Sequence, residues 1–136
     1  MLSLAFPGLR LTVEITGRDV SVPGAPYQDW LECQVSAESP GCETSFRWSA
    51  DVAGLKALRH NLSQMHRDFP ASARVSFRPA EPNIELTFEH RRGEYTLRPD
   101  FVDGPTITGH FGFDQSYVPG IVSAIDAFLA EADRAA

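Results

Sequence analysis

Few side chains in this sequence can do chemistry, and their spacing decides what that chemistry is. The histidines are His60, His66, His90 and His110. Two metal-binding histidines on one helical face sit three or four residues apart. His60 and His66 are separated by six and point to different faces. His90 falls in a turn, and His110 is expected to face away from the apolar side of its strand. Together with Cys33 and Cys42 they show no ligand spacing, so neither a metal nor another cofactor is expected. Cys33 alternates with apolar residues on a strand, where a thiol is packing rather than nucleophile. The two cysteines lie on opposite arms of a hairpin, Cys42 beside its turn and Cys33 well away from it. No bridge is expected between them.

Other catalytic patterns are missing too. The glycines from Gly104 to Gly112 carry neither the phosphate-cradling Lys-Ser/Thr nor a dinucleotide fingerprint. No serine is flanked as in a nucleophile elbow. Glu85 and Glu89 share one strand face, but neighbouring acids on an exposed face are usually solvated, not a general acid and base. The polar run Asp114-Gln115-Ser116-Tyr117 joins two apolar elements. Asp114 reads as a cap or a hydrogen-bonding hub at a helix start, and Tyr117 as a ring on the core with its hydroxyl at the rim. Asp29-Trp30 reads similarly, with Asp29 as a turn or cap acceptor and Trp30 as a core-edge anchor. Glu81-Pro82 stands just ahead of a strand and supplies a further local hydrogen bond.

The elements that position these residues follow from hydrophobic period. Leu9, Leu11, Val13 and Ile15 alternate with polar residues in a strand ending at Gly17. Arg18 to Gln28, with Pro23, Gly24 and Pro26, reads as a loop. Asp29 to Ala37 and Cys42 to Trp48 are strands joined by a turn at Glu38-Ser39-Pro40-Gly41. A helix is expected over about Ala50 to Phe69, with Ser49 as its cap and Asp51 favouring its N-terminal end. Val52, Leu55, Leu58, Leu62, Met65 and Phe69 form its apolar stripe, and Pro70 stops it. Strands are expected at Ala73 to Phe77, from Ile84 to Glu89, at Glu94 to Arg98 and from Ile107 to Phe113. His90-Arg91-Arg92-Gly93 is a hairpin turn, and Pro99 to Pro105 a loop. The last helix carries Val118, Ile121, Val122, Ile125, Phe128 and Leu129 on one stripe, with Pro119 in its first turn. From Glu131 the tail is expected to fray. Strands in consecutive runs predict an α+β fold: a mostly antiparallel bent sheet of six to seven strands with both helices on one face.

The totals bound the rest. A chain of 136 residues is expected to be a single domain with a core large enough to fold unaided. The formal net charge of −6 argues against nucleic acid as a direct partner and permits a basic protein partner. The N-terminal MLSLAFPGLRL has no basic region or long apolar run, and no stretch approaches a membrane span. A cytoplasmic location, away from membranes, is expected.

Several motifs in order resemble the WapI-type immunity proteins of bacteria. These are an early strand ending in glycine, Asp29-Trp30-Leu31 opening the next strand, a helix, Glu81-Pro82 before a strand (Asn83-Ile84-Glu85-Leu86), and an aromatic strand Phe111-Gly112-Phe113 entering Asp114-Gln115-Ser116-Tyr117. The resemblance spans most of the chain. It implies a non-enzymatic cytoplasmic inhibitor that neutralises a cognate toxin domain by binding it. It assigns no toxin-contacting residue, and the motif residues look like scaffold. From residue chemistry, the candidate partner surface is the exposed sheet face bearing Glu14, Glu32, Glu85 and Glu89, with Thr12, Gln34 and Thr87. The alternatives are a binding module for a small ligand or another protein, with a pocket between sheet and helices, and an enzyme with a dispersed site.

Overall fold

A computed structural model describes residues 1–20, 29–68, 74–100 and 104–134. The expected Pro-rich loop after Val20, the Phe69-Pro70 helix stop and the centre of the Pro99 to Pro105 loop lie outside the described residues. The fold is α+β, with eight strands and two long helices. The strands are β1 (Leu2–Phe6), β2 (Leu9–Val20), β3 (Asp29–Ser39), β4 (Cys42–Asp51), β5 (Arg74–Phe77), β6 (Ile84–Glu89), β7 (Arg92–Leu97) and β8 (Ile107–Gly112). Helix α1 (Val52–Asp68) follows β4, and α2 (Val118–Arg134) closes the chain after a short 3-10 turn over Gln115–Tyr117.

Two four-stranded antiparallel meanders, β1-β2-β3-β4 and β5-β6-β7-β8, replace the single bent sheet expected. Strand period predicts each strand's buried side but not which strands pair, and α1 separates the two runs. The additional strand is β1, where Leu2, Leu4 and Phe6 are buried and Ser3 and Ala5 exposed. Three hairpins turn in two residues: Pro7-Gly8, Pro40-Gly41 and His90-Arg91. Gly8 and Gly41 have φ of 93° and 79°, the left-handed conformation that the residue after proline takes in such a turn.

Both sheets turn their apolar sides, and both helices their stripes, into one core. The sheets meet at an aromatic seam. Phe6 packs on Phe111 with centroids 4.6 Å apart and on Tyr117 at 5.5 Å. The Gly112 N–H donates to the Pro7 carbonyl across the same seam at 2.7 Å. On the other side Trp48 stands edge-on to Phe77 at 6.2 Å.

Several boundaries differ from expectation. Strand β2 does not end at Gly17: the register shifts between Ile15 and Gly17, and a bulge carries pairing on to Val20. Strand β4 runs to Asp51, so α1 begins at Val52, not at Ala50. The cap is Asp51 rather than Ser49, its Oδ2 accepting from the Gly54 N–H at 3.0 Å. Strand β7 begins at Arg92, leaving only His90 and Arg91 in the turn. The tail is helical through Arg134, because Ala132 is buried and its carbonyl accepts from Arg18 at 2.8 Å.

Candidate functional site

The motif residues are built into the framework. Arg18, brought into β2 by the bulge, forks onto Asp29 at the start of β3: Nε to Oδ1 at 2.9 Å and Nη2 to Oδ2 at 2.5 Å. Its Nη1 reaches the Ala132 carbonyl and, at 3.3 Å, Asp133. One guanidinium therefore ties the start of β3 to the last turn of α2. The hydrogen bonds from Arg18 hold the Asp29 carboxyl below its ordinary range, against a smaller desolvation effect. Trp30, half-buried, pairs in register with Asp51.

Glu81 contributes its carbonyl, which accepts from the Trp48 indole N–H at 2.8 Å. The Pro82 carbonyl accepts from Arg98 at 3.0 Å. Between them and β6 sits Asn83, the one buried polar or charged residue among the described residues. Its amide donates to the Arg98 carbonyl at 2.8 Å, and its own carbonyl accepts from the Arg98 N–H at 2.8 Å. In the sequence Asn83 stands between Glu81-Pro82 and an alternating strand, which marks its place but not its burial.

Asp114 is an exposed cap. Its Oδ1 accepts from the Ser116 N–H at 2.8 Å and from the Ser116 hydroxyl, which keeps the carboxyl below its usual range. Tyr117 packs its ring between Phe6 and Phe113. The Gln115 amide nitrogen and oxygen are both buried without a hydrogen-bond partner.

Cys33 and Cys42 are free thiols. Cys33 is buried opposite Trp48, and burial pushes its thiol up to about 12, the state of an inert packing group. His110 lies 3.4 Å from Glu94 on the outer side of the second sheet. Among the described residues no three His, Cys, Asp or Glu side chains gather as a metal site, and no helix is long and apolar enough to cross a membrane. The apolar gap between sheets and helices, bordered by Leu4, Val13, Trp48, Leu58 and Ile125, measures about 20 Å³. That is room for about one water molecule.

The outward faces of the sheets remain. The four acidic residues singled out from sequence do not share one sheet: Glu14 and Glu32 lie on the first, Glu85 and Glu89 on the second. Their electrostatics differ. Glu85 is engaged by Arg98 and, at 3.8 Å, by Arg78. Glu89 lies 3.4 Å from Arg74. Glu32 accepts from the Ser49 hydroxyl at 3.1 Å but has no cationic partner among the described residues, and Glu14 has none either. The outer face of the first sheet sets Glu14, Glu32, Glu38 and Glu43 against Arg10 and Arg47. It is open and short of positive charge. The fields of the second sheet's carboxylates are largely cancelled by arginines beside them.

The α+β scaffold has a closely packed core, a buried thiol at Cys33 and open polar sheet faces. Residues 5–133 match the Immunity protein WapI-like family, and the chain belongs to that family. Comparison with curated proteins and with solved structures gave no match.

Proposed function

We propose that this chain is a bacterial immunity protein, acting in the cytoplasm, that neutralises a cognate toxin domain of a polymorphic toxin system. It acts by direct protein–protein binding and performs no catalysis. The family match across residues 5–133 carries the reading. The outer sheet faces are the docking surface, with Glu14, Glu32, Glu85 and Glu89 as partner-binding residues. Glu14 and Glu32 contribute most, because their charge is not met by a cation among the described residues, whereas Glu85 and Glu89 already face arginines. Opposed charge on a basic toxin speeds encounter and fixes orientation more than it deepens affinity. The test is capture of the toxin domain by immobilised chain. Reversing Glu14 and Glu32 to lysine should slow association and flatten the loss of binding with salt. Unchanged association kinetics would remove this face from the interface.

A further inference from the structure

We propose that β4 is a self-pairing edge and that two copies of this chain join there, antiparallel, with Ser45 of each on the two-fold axis. Strand β4 is an edge of the first sheet and, at ten residues, the longest edge in the fold. Among the described residues no backbone hydrogen bond links its free side to another segment. Each residue of an antiparallel strand directs its N–H and C=O to one side, alternating along the chain. An unpartnered edge strand therefore presents half its backbone groups to any strand that can match it. Natural edges are usually blunted by proline, lysine or short length. Cys42–Asp51 contains neither residue.

The outward side chains choose the partner. Glu43, Ser45 and Arg47 alternate on the exposed face of β4. Among the described residues of one copy neither charge is met. Glu43 stands directly opposite another acid, Glu38, an unfavourable cross-strand pair. Arg47 stands opposite Gln34 and makes no ion pair among the described residues. Antiparallel pairing about Ser45 puts Glu43 against Arg47 of the second copy, and Arg47 against its Glu43. The same register sets half-buried Thr44 beside the second Phe46, so the inner faces also match. The four nearest registers that keep inner face with inner face do worse. Centring on Glu43 or Arg47 opposes like charges, and centring on Thr44 or Phe46 leaves both charges facing uncharged residues. The Ser45 register is isologous and closed, giving an eight-stranded sheet across two copies.

The test is sedimentation velocity on the full chain over a concentration series, with circular dichroism to verify folding. The unmodified chain should show a reversible monomer–dimer equilibrium. E43R and R47E should each weaken self-association roughly tenfold or more, since each turns two attractive cross-strand pairs into two repulsive ones. Mixed in equal amounts, the two variants should dimerise again, because arginines at both positions of one chain then face glutamates at both positions of the other. S45K, which opposes two lysines at the axis, should be monomeric. A monomeric unmodified chain at high concentration would overturn the proposal. So would variants that dimerise as well as the parent, or a mixture no more associated than its components.

Discussion

Replacing Asp29 with alanine tests the account of the framework most sharply. The Arg18–Asp29 fork is largely shielded, with side chains 14% and 16% exposed. A hydrogen-bonded charged pair of this kind is worth about 1.5–3 kcal/mol. Stripping a fully buried guanidinium of its only partner would cost about 3–5 kcal/mol. Here Arg18 keeps the Ala132 carbonyl and Asp133, so the loss belongs at the lower figure, about 2 kcal/mol. For a chain of 136 residues, at about 4 °C per kcal/mol, the melting temperature should fall by about 8 °C. The effect has a pH signature with a defined sign. The folded-state carboxyl titrates below the unfolded value of 3.8, so the unfolded chain takes up the proton first as pH falls. The pair's contribution is therefore complete above about pH 5, declines as pH drops past 3.8, and is gone below the depressed folded value. Urea denaturation of parent and D29A at several pH values measures this directly. A difference below about 0.5 kcal/mol at pH 7, or one that does not shrink in acid, would refute the reasoning.

Other expectations can be checked on the same material. W48F keeps the edge-on contact with Phe77 but leaves the Glu81 carbonyl unpaired, and should cost about 1–2 kcal/mol by urea denaturation. A Cβ at Gly93 would fall 2.1 Å from Phe111 Cζ, so G93A should cost about 1–3 kcal/mol and alter the near-ultraviolet dichroism of the aromatic seam. Arg91 holds φ at 76° in the second position of a two-residue turn, so R91G should raise stability by about 0.5–1 kcal/mol. Thiol titration of the native protein at pH 8 should label Cys42 and spare Cys33, with both reacting in denaturant.

How far the fold could be read from sequence depended on how local each cause was. The buried sides of the strands followed from alternation such as Ile84, Leu86 and Phe88, and the helix stripes from Leu55, Leu58 and Leu62, because each depends only on near neighbours. Strand β1 carries the same alternation, Leu2-Leu4-Phe6, in a stretch read only for targeting signals. Gly17 looked like a strand end because glycine weakens strands. It lies instead at a bulge, and only Asp29, eleven residues beyond Arg18, explains why the chain continues pairing. How the two sheets meet rests on contacts such as Gly112 to Pro7, more than a hundred residues apart in sequence. Of the acidic residues read as lying on an exposed face, Glu14 and Glu32 are exposed and Glu85 and Glu89 half-buried. The arginines that neutralise Glu85 and Glu89 but not Glu14 and Glu32 were not legible, since cross-strand neighbours depend on register.

The most direct test of the immunity reading is to capture partners with the tagged chain from a lysate of the organism that encodes it, grown so that its toxins are expressed. The dominant partner's isolated domain is then produced with and without this chain. The account predicts a stoichiometric partner whose domain stops growth alone and is silenced when this chain is present. A captured domain whose toxicity is unaffected by the chain, or no partner while the toxins are expressed, would contradict it.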